Sequence, residues 1–160
     1  MHRQLPRARF ARPVTVTPFY ELLYKAAERL RDDAPQDEFS FAGAILIAGT
    51  AAETAVNVVI TEVINRKGLG PVAVAANEAI RSHNLKDRKD RGIWRSITGD
   101  DIANQPFWNR YTAHVDRRND VAHTGKLKDG QPVSKTNATA SLKVVRELLD
   151  HITAVLQATK

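Results

Sequence analysis

Arg118 and His123 are side chains whose chemistry suits the handling of RNA phosphates. The guanidinium of an arginine binds phosphate oxygens in a bidentate way and can offset the charge that develops in phosphoryl transfer. An imidazole can take up and release protons near neutral pH. Without a metal ion, the two groups would suffice for attack of an RNA 2′-hydroxyl on its own phosphate, a route that DNA lacks.

Asn119 shares a helix face with His123, because residues four apart are neighbours on a helix surface. Its side chain could orient the imidazole or hold a phosphate oxygen. Residues 116–125 fall where a long predicted helix ends, so the long Arg118 side chain and His123 can both reach one site at the helix end. The same residues could instead cap the helix, since cationic side chains near a C-terminus interact favourably with its dipole and free carbonyls.

The run Arg118-Asn119-Asp120-Val121-Ala122-His123 resembles the R-N-x-x-x-H signature of the HEPN superfamily. The resemblance covers about residues 17–158, of which only the motif is specific. It implies a small helical bundle, typically dimeric, in which the arginine and histidine of two copies meet across the dimer axis. Many members of this family are metal-independent endoribonucleases of toxin–antitoxin, CRISPR and phage-defence systems. Others serve as non-catalytic nucleotide-binding or structural modules.

The resemblance implies a role for each residue of the motif. His123 would act as general acid or base, Arg118 would clamp the scissile phosphate, and Asn119 would orient one or the other. It also implies RNA as substrate, a second copy of this chain as partner, and an antitoxin or defence complex to restrain the activity. HEPN toxins paired with small nucleotidyltransferases often have a tyrosine two positions after the histidine. Gly125 stands there instead, which argues against that pairing.

Glu53 and Asn57 interrupt the apolar surface of a long predicted helix. HEPN members often carry an acidic or polar residue on this helix near the motif, so the resemblance gives both a supporting role. Glu53 could pair with Arg118 and aim its guanidinium, or it could pair with another basic side chain of the bundle. Asn57 could equally make a hydrogen bond that only packs the helix.

The chain is basic, with 24 Lys plus Arg against 18 Asp plus Glu, a net charge of +6. Such a balance favours an anionic partner, and nucleic acid is the commonest one. The basic segment 81–95 could guide an RNA backbone, with Trp94 available for stacking on a base, or it could be only a solvated face. The residues that we expect to contact RNA are Arg88, Lys89, Arg91, Arg117 and Lys126.

Apolar residues recur in steps of three and four, and no segment alternates as a strand does. The sequence predicts an all-α bundle of four or five helices, with the motif at the end of the penultimate long helix. Residues 1–16 are predicted to be a basic arm and residues 17–160 a single domain. The predicted helices span about 17–31, with Thr17 as the cap, and about 41–67, 71–83, 105–122 and 136–158. Residues 84–99 are predicted to be an exposed helix or loop.

The sequence has no cysteine, which excludes disulfides, thiol nucleophiles and cysteine-based zinc sites and fits a reducing cytoplasm. Residues 1–20 contain four arginines and no acidic residue, and the apolar stretch of a secretory signal does not follow them, although a mitochondrial presequence would share this composition. Phe41–Ala52 is shorter than the ~20 residues that cross a bilayer. We therefore expect a cytoplasmic protein with no membrane partner and a buried core helix at this stretch.

Several other polar residues have simpler explanations than chemistry. Asp100 and Asp101 follow a glycine and predict a helix N-cap rather than a metal site. We expect His114 to be a core or interface histidine with satisfied hydrogen bonds, and His2, His83 and His151 to be solvated. Since no metal-site, P-loop or dinucleotide motif is present, the sequence predicts no metal or nucleotide cofactor.

Overall fold

The computed structural model of the protein describes residues 17–80 and 83–159, and within these ranges it contains helices and no strands. The all-α prediction is therefore confirmed, with six α-helices rather than four or five, because residues 88–98 also form a helix. The predicted arm 1–16 lies outside the described residues. The helices are α1 (Phe19–Asp32), α2 (Glu38–Arg66), α3 (Gly70–Ala79), α4 (Arg88–Thr98), α5 (Trp108–Thr124) and α6 (Lys135–Ala158), with a 3₁₀ turn at Ile102–Asn104.

The 29-residue helix α2 is the centre of the bundle, and α1, α3, α4, α5 and α6 all pack against it. Its small residues allow these neighbours to approach closely, since alanines 44, 48, 51, 52 and 55 are all buried. By length and composition alone α2 could cross a membrane, because an 18-residue stretch of it has a mean hydropathy of 1.6. The apolar segment Phe41–Ala52 is only part of this helix. In the bundle, 56% of this 18-residue stretch is buried against the rest of the protein.

Helices α5 and α6 run antiparallel, and side chains of α5 hold them together at two points. Arg110 forms a bidentate pair with Glu147, with Nη2 2.7 Å from Oε2, and Arg117 donates to the Ser141 hydroxyl at 2.6 Å. As residue numbers rise along α5, the numbers of their partners on α6 fall, as expected for antiparallel helices. These contacts help to set which face of α5 is turned inward, and so where the residues of the motif lie.

The start of α1 differs from the prediction by one position. Pro18, rather than Thr17, precedes the helix, in an extended conformation with ψ of 145°, and the helix begins at Phe19. The Pro18 carbonyl accepts the first helical hydrogen bonds from the N–H groups of Glu21 and Leu22, and the proline ring offers no side-chain cap.

Trp94, Asp100 and His151 form a hydrogen-bonded cluster that joins α4 to α6. Trp94 is fully buried and donates its indole N–H to Asp100 Oδ2 at 2.9 Å, and His151 Nε2 lies 2.9 Å from the same oxygen. The predictions of Trp94 as a stacking platform and of His151 as solvated are therefore wrong. Asp100 does not cap a helix with its side chain either, because its carboxylate binds these two rings.

Ser134 begins α6 with a capping box, in which its hydroxyl accepts from the Asn137 N–H at 3.3 Å and the Asn137 side chain accepts from the Ser134 N–H at 3.0 Å. We predict that Ser134→Ala lowers the free energy of unfolding by about 1 kcal/mol, because the Asn137 N–H loses the hydroxyl that accepts its hydrogen bond. Urea denaturation measures the change. Thr139→Ala, at an exposed position of the same helix, is the control, and an equal loss in both variants would contradict the prediction.

Candidate functional site

The Arg118 side chain crosses from α5 onto α2, where Gly49 makes room for it. A Cβ at position 49 would lie only 3.0 Å from Arg118 Cγ, closer than ordinary van der Waals contact allows. Beyond Gly49 by one helical turn, Glu53 Oε2 accepts a hydrogen bond from Arg118 Nη2 at 3.1 Å. Positions 49 and 53 therefore form one track on α2, and the arginine lies along it.

Asn119 holds the other side of the same guanidinium. Its Oδ1 accepts a hydrogen bond from Arg118 Nη1 at 3.1 Å. The guanidinium is thus fixed between a carboxylate on α2 and an amide on its own helix. The amide nitrogen of Asn119 is then the part of that side chain suited to bind a phosphate oxygen.

The pair of Arg118 and Glu53 is only partly exposed to water, with side-chain exposures of 29% and 25%. Burial raises the pKa of the Glu53 carboxyl, and the charge of Arg118 opposes this rise. Without the positive charge of Arg118, a charged Glu53 carboxylate would be unfavourable in this partly buried position. The sequence left two partners open for Glu53, Arg118 or another basic side chain of the bundle, and the structure shows the pair with Arg118.

His123 lies in the last turn of α5 and is exposed. Thr124 is the last residue of the helix, and Gly125 follows it with a φ of +70°, which glycine adopts readily after a helix. Because each helical residue turns by about 100°, His123 points about 140° away from Arg118 around the axis. Within one chain, the structure brings Arg118 together with Glu53 and Asn119, and leaves the His123 imidazole on a different side of the helix.

Asn57, the other supporting residue, is one turn beyond Glu53 on α2. Its Oδ1 accepts a hydrogen bond from the Thr61 hydroxyl at 3.3 Å, and the structure records no bond from it to the motif. The geometry therefore agrees with a side chain that stabilises the local helix surface.

The part of the basic segment 81–95 that precedes α4 lies beside α5, because Lys86 forms an ion pair with Asp116. Asp116 and His123 are seven positions apart on one helix, and so they lie within about 20° of each other around its axis. The segment that contains Lys86 thus borders the same face of α5 that carries His123. Arg88 and Lys89, at the start of α4, are exposed, as is Lys126 in the loop after α5.

Arg91 and Arg117 differ from the other predicted RNA contacts because both are half-buried and bonded within the bundle. Arg91 donates to the Leu85 and Lys86 carbonyls at 3.3 and 3.2 Å and lies 5.3 Å over the Trp108 ring. Arg117 bonds Ser141, and burial lowers its pKa. The run of positive charge in the sequence could not separate these structural arginines from the exposed ones.

His114, one turn before Arg118 on α5, is the functional candidate that sequence reasoning missed. The side chain is buried, and this desolvation, with the charges of Arg117 and Arg118, lowers its pKa to about 3. Its Nδ1 has no hydrogen-bond partner within the part of the chain that the structure describes, so the prediction of a satisfied histidine is wrong. The spacing of four from Arg118 was the signal that could have linked the two residues.

Comparisons of this chain with protein-family models, with curated proteins and with solved structures find no match. Among residues 17–80 and 83–159, no group of three or more His, Asp or Glu side chains is placed to hold a metal ion.

We predict that Gly49→Ala destabilises the protein relative to Gly43→Ala on the same helix. Both changes gain helix propensity, but a Cβ at 43 meets only Leu30 Cδ1 at 3.4 Å, whereas one at 49 displaces Arg118. We expect the free energy of unfolding of Gly49→Ala to be lower by about 1 to 3 kcal/mol, as for other overpacked sites. Urea denaturation gives the difference. In an Arg118→Ala background the penalty should disappear, and its persistence there would show that the arginine is not the group displaced.

We predict that His114 makes the protein less stable as the pH falls. Its folded pKa of about 3 lies below the ordinary value of 6.5, so the unfolded state takes up the proton first. Its contribution is complete above about pH 6.5 and is lost toward pH 3, at up to about 1.4 kcal/mol per pH unit. Urea denaturation at several pH values should show a weaker pH dependence in His114→Leu. Equal slopes in wild type and His114→Leu would contradict the prediction.

Proposed function

We propose that this chain is a metal-independent endoribonuclease of HEPN type that acts as a homodimer. The observation that carries the proposal is the fixed guanidinium of Arg118, held by Glu53 and Asn119 on a helix that ends with an exposed histidine. An arginine packed against a glycine and held on two sides is a preorganised group, as a phosphate clamp requires. The helical bundle and the position of the motif on the penultimate long helix agree with the HEPN resemblance.

The reaction would be a transesterification of RNA. The 2′-hydroxyl oxygen attacks the adjacent phosphorus, its proton passes to a base, and the bond from phosphorus to the 5′-oxygen breaks. An acid returns a proton to that oxygen, which leaves a 2′,3′-cyclic phosphate and a 5′-hydroxyl end. His123 supplies the proton transfers, Arg118 binds the phosphate oxygens as negative charge grows on them, and Asn119 orients either group.

The separation of Arg118 and His123 around α5 is the geometrical reason to propose a homodimer. Arg118 and His123 point about 140° apart around α5, so one chain presents them to different sides. If the exposed end of α5, residues 122–124, meets its equivalent across a two-fold axis, the histidine of one copy can approach the arginine of the other. The homodimer that the resemblance implies would thus complete the site.

The exposed cations around this helix end give RNA a path to the site. Arg88, Lys89 and Lys126 are the predicted contacts that remain exposed. The ion pair of Lys86 with Asp116 holds the segment of Arg88 and Lys89 beside the face of α5 that carries His123, and Lys126 lies in the loop after α5. Binding through phosphates should weaken steeply with salt. We propose a cytoplasmic toxin or defence component as the setting, in which an antitoxin or larger complex restrains the cleavage.

A non-catalytic module that binds RNA or nucleotide, or that only dimerises, is the second candidate. The ion pair between Arg118 and Glu53 favours it, because a guanidinium already bonded to a carboxylate offers fewer N–H groups to a phosphate. In this role the motif would bind without cutting, or would stabilise the contact between two copies.

We predict that purified protein cleaves mixed RNA in EDTA and leaves cyclic phosphate ends. His123→Ala and Arg118→Ala should each reduce the cleavage rate by about a hundredfold or more, because they remove the proton-transfer group and the phosphate clamp. Arg118→Lys should not restore the rate, since an ammonium keeps the charge but lacks the planar fork. End-group analysis and cleavage rates measure these outcomes.

Arg29→Ala is the matched control for this experiment, since it removes an exposed arginine of α1 that the candidate site does not use. All variants are compared at equal secondary structure and oligomeric state. Equal cleavage by every protein would indicate a contaminating nuclease and contradict the assignment. Salt-sensitive RNA binding without product, across a broad set of RNAs, would favour the non-catalytic module.

A further inference from the structure

A small cavity lies between α2 and α5, directly behind the Arg118 guanidinium. Its walls include four polar side chains, those of Glu53, Tyr111, His114 and Arg118, together with the apolar atoms of three smaller residues. The cavity offers about 10 Å³ to a water molecule. That volume is about the minimum for one water and too small for any larger ligand.

His114, one of the residues that line this cavity, has a buried ring nitrogen that no described protein group satisfies. His114 is 1% exposed, and its Nδ1 has no hydrogen-bond partner among the described residues. A buried polar group without a partner costs about 1 to 3 kcal/mol, so native proteins rarely leave one in place. The nearby Glu53 carboxylate accepts a bond from Arg118 through one oxygen, which leaves it further capacity to accept.

We propose that this cavity binds a single ordered water molecule, which joins the His114 imidazole to the Glu53 carboxylate and thereby holds the Arg118 guanidinium in place. A water molecule fits this lining because it has two donors and two acceptors, and so it can bond His114 and Glu53 at once. Either tautomer of His114 can use it, since water can donate to a bare nitrogen or accept from an N–H.

His114 is then a positioning residue for Arg118. It is almost entirely buried, and it acts on Arg118 through the water and Glu53. Water-mediated bonds are nearly as favourable as direct ones, and a network with all its members satisfied restrains each of them. This role is independent of whether the site cleaves RNA, because it concerns only how the guanidinium is held.

The direct test is a high-resolution crystal structure of the wild-type protein, with magnetisation transfer from water to His114 measured by NMR in solution. We expect one ordered water within hydrogen-bond distance of Nδ1 and a matching solution signal. A His114 ring whose Nδ1 contacts only protein atoms, with no ordered water beside it, would overturn the water site. This measurement needs no variant and no enzymatic activity.

The positioning role is tested by the rate at which the Arg118 guanidinium rotates about its Nε–Cζ bond, measured by NMR. We expect a several-fold faster rotation in His114→Leu and nearly the wild-type rate in His114→Gln, which keeps a polar group for the water. Arg146, whose two Nη atoms bond Glu21 at 2.8 and 2.9 Å, is the internal control and should not change. Equal Arg118 rates in wild type and His114→Leu would overturn the role.

Discussion

The contact of Arg118 with α2 is the constraint on which the rest of the candidate site depends. The side chain lies over Gly49 and ends on Glu53, and it can do so only if one face of α5 is turned toward α2. That rotation sends Arg117 toward Ser141 on α6 and His123 outward. A partly buried guanidinium and a partly buried carboxylate each need the other, because either charge alone would be poorly solvated at this depth.

This constraint has a consequence for function. Residues five apart on a helix lie about 140° apart around its axis, so an α5 that is turned to bring Arg118 onto α2 leaves His123 on another side of the same chain. A site that needs both groups must then be shared between two copies, whereas a module that only binds or dimerises has no such need. The exposed cations at the start of α4 and after α5 would serve RNA binding in either case.

The all-α class, the long central helix and the position of the motif could be predicted from the sequence, because they depend on apolar spacing and on helix-ending residues. The pairing of Glu53 with Arg118 was one of two alternatives that the sequence left open. The burial of Trp94 and the bonds of Arg91 and Arg117 within the bundle could not be predicted, since a charge run or an aromatic residue does not reveal which way it faces. His114 was assigned to the core correctly, but a sequence cannot show that a buried nitrogen lacks a partner.

The shared site is the central claim, and mixing two inactive variants tests it most directly. Arg118→Ala keeps His123, and His123→Ala keeps Arg118, so a mixed dimer contains one intact pair if the two groups come from different copies. After the variants are exchanged and allowed to reassociate, the account predicts that metal-independent RNA cleavage returns in the mixture and is absent from each variant alone. A mixture that forms mixed dimers and stays as inactive as its components, beside active wild-type protein, would contradict it.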